Sequence, residues 1–374
     1  MKYKISEIGK VVGGGTPSTK HTEYYSKNGL AWITPKDLSD YHKKYIGHGA
    51  KDISEEGLKH SSAKLLPINS ILISSRAPIG YVAMAGTDLA TSQGFKSIIP
   101  DTSKVIPEFL YYLMLKSKDK LERIASGSTF KEVSGREMSN FVVDIPELKI
   151  QKEIVQKLNP ISKEIEKNNE INDNLLELND KIFSKIFYNE KKFVEAQKIA
   201  NIKIGKTPPR KEKKWFLEKG IQWVSISDMK SNVPFINKSK ERISLEAIKK
   251  FNINKVKPKT VILSFKLTIG RVKIADSTIT TNEAIAEFND AKLPYQFLYT
   301  YLKGFNFETL GNTSSIAKSL NSKIIKKMLI MVPSKINLDR YIFFASPIFN
   351  LIKKKQIENS VLNNLKRILL QKYF

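Results

Sequence analysis

The fold class expected from the sequence is α+β: two pseudo-symmetric globular domains separated by a pair of long antiparallel helices packed like a coiled coil. Three observations lead there. Landmarks in the first half return in the second at a slowly drifting shift. Each half opens with short β-branched and aromatic runs between Gly, Pro, Ser and Asn clusters, the pattern of strands and turns. Each half then closes with a long run of helical period.

The repeat is read first, because it sets the domain count. Thr16-Pro17 in GGGTPS returns as Thr207-Pro208 in IGKTPPR, and Trp32 in LAWITPKDL returns as Trp223 in IQWVSISDM (223 − 32 = 191). Gly80 returns as Gly270 and Thr91-Ser92-Gln93 as Thr281-Asn282-Glu283, both at 190. Phe109-Leu110-Tyr111 returns as Phe297-Leu298-Tyr299 at 188, and Ile145-Pro146 as Val332-Pro333 at 187. A one-way drift is what loop deletions produce, and a unit of this length suits a domain rather than a solenoid repeat. The expected divisions are 1–147 for the first domain, 148–190 for a central helical region, 191–334 for the second domain and 335–374 for a C-terminal helical region.

Within each domain the clearest unit is a strand–turn–strand. ILISSRAPIGYVAMA (71–85) and VILSFKLTIGRVKIA (261–275) each place a cation, Arg76 or Lys266, at the same point of the turn. The helical runs begin PISKEIEKNNEI and PIFNLIKKKQIE, so Asn159-Pro160 and Ser346-Pro347 are expected to supply N-caps and first turns. About 28 residues at 1.5 Å each give rods of about 42 Å. Their apolar seams are expected at Ile161, Ile165, Asn168, Asn172, Leu175 and Ile182, and at Ile348, Ile352, Lys355, Asn359, Leu362 and Leu369. These recur at spacings of three, four and seven. Polar groups at the middle of each seam weaken a helix pair but fix its register. The competing reading is two amphipathic helices packed separately, each on its own domain.

Composition narrows the function. The 374 residues carry 63 Lys+Arg against 37 Asp+Glu, a formal charge of +26. That field favours an extended anionic partner, nucleic acid first and an anionic membrane surface second. The competing reading is a Lys- and Asn-rich compositional bias. There is no cysteine, which excludes disulfides and thiolate metal sites and fits a reducing, cytoplasmic location. The N-terminal MKYKISEIGK has no apolar signal core, and no apolar run is long enough to span a bilayer.

GGGTPS, AWITPKDLS, ISEEGLKHSSAKLLPINSILISSRAPIGYVAMA, SQGFKSIIP and IPELKIQKEI together resemble the DNA specificity subunit of type I restriction–modification enzymes, over residues 13–158. The resemblance implies two target-recognition domains, each reading one half of a split site on double-stranded DNA. The helical regions would space them and dock two modification (adenine methyltransferase) subunits, which restriction subunits would join. The chain would carry no catalytic centre or metal. S-adenosylmethionine, ATP and magnesium would belong to the partner subunits. Two departures stand out: the helix-start Gln151 aligns with Leu338, and Gln93-Gly94-Phe95 aligns with Glu283-Ala284-Ile285.

Candidate DNA contacts follow from residue type and position. Arg grips guanine O6 and N7 with two hydrogen bonds, whereas Lys acts as a point charge; Arg76 and Lys266 are placed for either work. Thr16, Ser18 and Lys20, with Thr207, Arg210 and Lys211, sit in Gly- or Pro-rich loops suited to phosphate. Thr34 and Lys36 match Ser225 and Ser227. Gln93 and Lys96 match Asn282, as amide and cation groups able to read adenine edges. Ser128, Thr129 and Lys131 match Ser314, Ser315 and Lys318. For each, a solvated surface turn is the competing reading. Trp32 and Trp223 are expected in the core.

Other signals fail. IANIKIGKT lacks the first glycine of a phosphate loop and runs into Pro208-Pro209. Asp290 and Lys292 lack an acidic partner for nuclease work. Asn159-Pro160-Ile161 lacks the second proline and aromatic of an adenine methyltransferase motif. His21, His42, His48 and His60 have no metal spacing. The rival functions are a stand-alone site-specific DNA-modifying enzyme or nuclease, for which a cofactor motif is missing, and an interaction protein for acidic partners.

Overall fold

The computed structural model describes residues 1–39, 41, 43–127, 131–310 and 320–374. The chain divides into two compact units, one of residues 1–167 with 360–374, the other of residues 168–359.

The first unit is built on a five-stranded sheet in the order Gly9–Gly13, Lys96–Pro100, Ile71–Ile73, Val82–Ala85, Tyr45–Ile46. All neighbours are antiparallel except the last pair. A second sheet orders Tyr25–Ser26, Lys51–Ile53, Leu30–Ile33 and Ala90–Thr91, and a two-stranded sheet joins Lys2–Lys4 to Val142–Asp144. The helix Pro107–Lys116, with Pro in its first turn and Lys116 in its last, buries Phe109, Leu110, Tyr112, Leu113 and Met114. These pack with Ile71, Ile73, Met84 and Ile98 of the large sheet.

The second unit repeats this arrangement sheet for sheet. Its five-stranded sheet runs Asn201–Ile204, Ile285–Asn289, Val261–Ser264, Val272–Ala275, Phe235–Ile236. The registers repeat as well. Ile71 opposite Met84 becomes Val261 opposite Ile274, Trp32 opposite Ala90 becomes Trp223 opposite Thr280, and Lys2 opposite Asp144 becomes Phe193 opposite Met331. Its second sheet has three strands because Phe216–Val224 is continuous where the first unit has two pieces. The pairing is nevertheless alike, since Tyr25 and Leu30 both oppose Ile53, and Phe216 and Ile221 both oppose Ile243. A one-residue slip would turn every side chain to the wrong face, so equal registers mean equal cores.

The two long helices are Leu148–Phe187 and Lys335–Tyr373. They begin about three turns earlier than Asn159-Pro160 and Ser346-Pro347 suggest, with Pro160 and Pro347 inside them. An interior proline costs about 3 kcal/mol, chiefly by denying the carbonyl four residues back its donor. Here those carbonyls belong to Gln156 and Phe343, both exposed, as are the prolines themselves. Water therefore takes the donor's place, and in the first helix burial of Ile154, Val155 and Leu158 at roughly 1.5–3 kcal/mol each more than offsets the loss. Asn159 accepts hydrogen bonds from Tyr112 and Lys44 instead of capping.

In the second unit the helical segments run antiparallel: Asn168 Nδ2 donates to Asn359 Oδ1 (2.9 Å), the Tyr341 hydroxyl to Asn179 Oδ1 (2.9 Å), and Ser334 and Asn337 to Glu190. In the first unit Lys157 meets Tyr373, while Leu369 and Leu370 join the core. Ile165, Asn168, Asn172, Ile348, Ile352 and Asn359 of the expected seams are buried, whereas Ile161, Leu175, Ile182, Lys355, Leu362 and Leu369 are half-buried. After Asn172 the buried positions are Leu176, Asn179 and Phe187; the steps of eight from Asn168 to Leu176 and from Asn179 to Phe187 show the stripe drifting off a strict heptad, as a straight helix must.

Candidate nucleic-acid interface

In each unit the candidate loops meet at one short segment. In the first unit that segment is residues 91–95. Gly14 N donates to Phe95 O, Gly15 N to Thr91 O (2.9 Å), Ser92 N to Ile33 O (2.8 Å) and Ser75 N to Gly94 O (2.7 Å). These four bonds gather the loops of Thr16, Thr34, Gln93 and Arg76. In the second unit the same four bonds recur: Gly205 N to Ile285 O, Lys206 N to Thr281 O (2.9 Å), Asn282 N to Val224 O (3.0 Å) and Phe265 N to Ala284 O (3.0 Å). The buried tryptophans lock the same place, with Trp32 Nε1 bonded to Gly15 O and Trp223 Nε1 to Lys206 O, each at 3.0 Å. A Cβ on Gly14 would lie 2.0 Å from Ser92 O and one on Gly205 2.2 Å from the Thr281 hydroxyl, so only glycine permits the closure.

The Arg76 and Lys266 turns are braced alike. The buried Ser74 hydroxyl donates to Pro78 O (2.7 Å) and accepts from Tyr81 N (2.8 Å). The Ser264 hydroxyl donates to Thr268 O (2.6 Å) and accepts from Arg271 N (3.0 Å). Gly80 and Gly270, at φ of +84° and +91°, close the turns in a conformation that costs other residues strain. The motif was visible as a repeat, but the serine's work was not.

The side chains themselves divide. Arg76 Nε pairs with Glu132 at 2.9 Å and Lys96 Nζ with the same carboxylate at 3.0 Å. Burial acts to raise the Glu132 pKa, but the Lys96 and Arg76 hydrogen bonds and charges outweigh it and hold the carboxyl below its usual range. The arrangement uses Nε and leaves both terminal nitrogens of Arg76 without a partner among the described residues. Lys131 is exposed next to Glu132. Lys266 is half-buried with its ammonium 5.5 Å from the Phe265 ring centre.

Thr34 is a turn-former: its backbone N–H and hydroxyl both donate to Asp37. Ser225 does the same with Asp228, and Ser227 joins the Ser225 hydroxyl. Thr207 bonds Glu283. Arg210 pairs with Glu241 at 2.6 Å and lies over the rings of Phe216 and Trp223, so its charge is engaged. The Asn282 side chain accepts from Ala284 N. Ser18 shapes its own loop by accepting from Lys20 N. Thr16, Lys20, Lys36, Gln93 and Lys211 are exposed. Ser128, Thr129, Ser314, Ser315, Lys318 and His42 lie outside the described residues. Among the described residues no group of three or more His, Asp or Glu is placed to hold a metal, and no helix is long and apolar enough to cross a membrane.

The family model for the type I restriction modification DNA specificity domain matches residues 1–177 and again residues 188–367. The chain belongs to this family. Two matches on one chain follow the duplicated sheets. The MjaIX specificity subunit, a type I restriction enzyme component from Methanocaldococcus jannaschii, is 31% identical over 99% of this chain and 91% of its own length. The Escherichia coli EcoR124I/EcoR124II specificity subunit is 28% identical over 41% of this chain and 38% of its own. The crystal structure of the type I restriction–modification S subunit from M. genitalium superposes with a TM-score of 0.56 at 16% identity, covering 100% of this chain and 96% of that one, which shows a shared fold. The protein is thus a specificity subunit of a type I restriction–modification system, the DNA-recognition component and not a catalytic one.

Proposed function

We propose that each unit reads one half of a bipartite duplex site, with the loops gathered at residues 91–95 and 281–285 as the reading surfaces. The observation that carries this reading is the twofold occurrence of the same four-bond junction with a cation-bearing braced turn beside it. In the first unit Glu132 orients Arg76 through Nε, so that its two terminal nitrogens suit guanine O6 and N7. Lys20, Lys36, Lys131 and Lys211 suit phosphates, which position the protein without reading sequence. The second unit reads with a point charge where the first has a fork, so the two half-sites differ.

The long helices dock two modification subunits in this reading, and restriction subunits join those in the cytoplasm; S-adenosylmethionine, ATP and magnesium enter with the partners. The seam residues Ile165, Ile348 and Ile352 are buried within the protein and so are not the contacts. Outward apolar residues are. In the second unit Ile336, Phe343 and Leu351 recur at steps of seven and eight on Lys335–Tyr373, out of phase with buried Tyr341, Ala345 and Ile352. Co-expression with the modification subunit followed by genome-wide mapping of methylated adenines tests the reading. A split motif with two defined halves is expected; a single uninterrupted motif contradicts it.

A further inference from the structure

Leu267 stands apart from every other apolar residue. Its side chain is 92% exposed, more than any other large apolar side chain among the described residues. Its φ is +61°, the left-handed region that residues with a Cβ avoid. It sits at the tip of the turn between the strands Val261–Ser264 and Val272–Ala275, directly after Lys266. The turn beneath it is not loose: Ser264 ties both limbs through its hydroxyl, and Gly270 N donates to Ser264 O at 3.0 Å. A strained, braced backbone therefore holds a branched alkyl group out in water, next to a cation and beside the junction at Asn282–Ala284. The first unit has Ala77 at this place, so the framework does not require bulk there.

We propose that Leu267 is a specificity-determining residue of the second unit, making apolar contact with the C5-methyl group of a thymine in the major groove. The inference rests on the reading of that unit as one that recognises a half-site. The chemistry selects the target: the thymine methyl is the apolar group that base edges present in the major groove, while every other feature there is a donor or acceptor. Lys266 then lies against phosphate or a guanine edge, and the brace fixes the distance between the two contacts. Backbone strain held by surrounding hydrogen bonds is the usual mark of a pre-set contact residue.

The test uses the full chain assembled with its modification subunits on the bipartite site found by methylation mapping. Each thymine of the site is replaced singly by uracil, which removes the methyl group alone, and binding is measured for wild type, Leu267→Ala and Leu267→Asn. Asn tolerates the left-handed backbone and removes the apolar tip. Wild type is expected to lose about fourfold at one position of one half-site, the worth of one buried methyl, and both variants are expected to lose nothing further there. Equal uracil sensitivity in wild type and variants, or a half-site without thymine, overturns the assignment while leaving bipartite recognition intact. Wild-type binding that ignores sequence in both halves overturns the recognition reading itself, and the assignment with it.

Discussion

Replacing Ser74 by alanine isolates the brace beneath the Arg76 turn. Ser74 is fully buried, and its hydroxyl satisfies two backbone groups, Pro78 O at 2.7 Å and Tyr81 N at 2.8 Å. Losing two such bonds costs about 1–3 kcal/mol, at roughly 0.5–1.5 kcal/mol each. The Ser74 N to Tyr81 O and Gly80 N to Ser74 O bonds remain, so the turn loosens without the sheet opening. Amide hydrogen exchange followed by mass spectrometry is the assay. Exchange in a peptide spanning residues 76–82 should quicken by a factor of about 5 to 150, the same energy expressed as an opening equilibrium. The peptide spanning 266–272 should be unchanged, and Ser264→Ala should give the mirror result. Unaltered exchange across 76–82 would refute the brace; faster exchange through the whole first unit would show that Ser74 supports the core instead.

Asn172 is buried with neither side-chain polar atom bonded among the described residues, so Asn172→Leu should raise stability toward urea by about 1–3 kcal/mol; a loss would mean the amide is satisfied in solution. Burial, then the charges of Arg271 and Lys303, push the Lys273 ammonium down to about 7. The unfolded chain holds that proton up to about pH 10.4, so between pH 7 and 10 the unfolded state binds more protons and stability of the second unit should rise with pH, by at most about 1.4 kcal/mol per pH unit. Lys273→Met should flatten that rise, and an equally steep rise in the variant would contradict the assignment. Leu351→Lys should abolish assembly with the modification subunits while circular dichroism and melting stay as in wild type, because the side chain already faces water; intact assembly places the docking face elsewhere.

The duplicated frame was legible because the residues that make it are the ones repetition preserves. Trp32 and Trp223, Gly80 and Gly270, and the apolar strands 71–85 and 261–275 repeat at nearly constant shifts, and the strand registers follow those shifts. The helix starts were not legible. Asn159-Pro160 and Ser346-Pro347 carry a strong local start signal, which packing of Ile154, Val155 and Leu158 on the first helix and of Tyr341 and Ala345 on the second overrides because both prolines face water. Residue type also misled where a neighbour consumed the group. Thr34 serves Asp37, and Arg210 is stacked and paired with Glu241, a residue distant in sequence. Leu267 gave no sequence signal, since a lone leucine in a turn reads as core until its exposure and backbone are seen.

The most direct test of one reading surface per unit is methylation mapping with Arg76→Ala and Lys266→Ala in otherwise identical assemblies. Arg76→Ala should relax recognition at one half-site by about 1–3 kcal/mol per lost base contact and leave the other half as in wild type, and Lys266→Ala should alter the other half alone. Both substitutions acting on the same half, or each acting equally on both, would contradict the account.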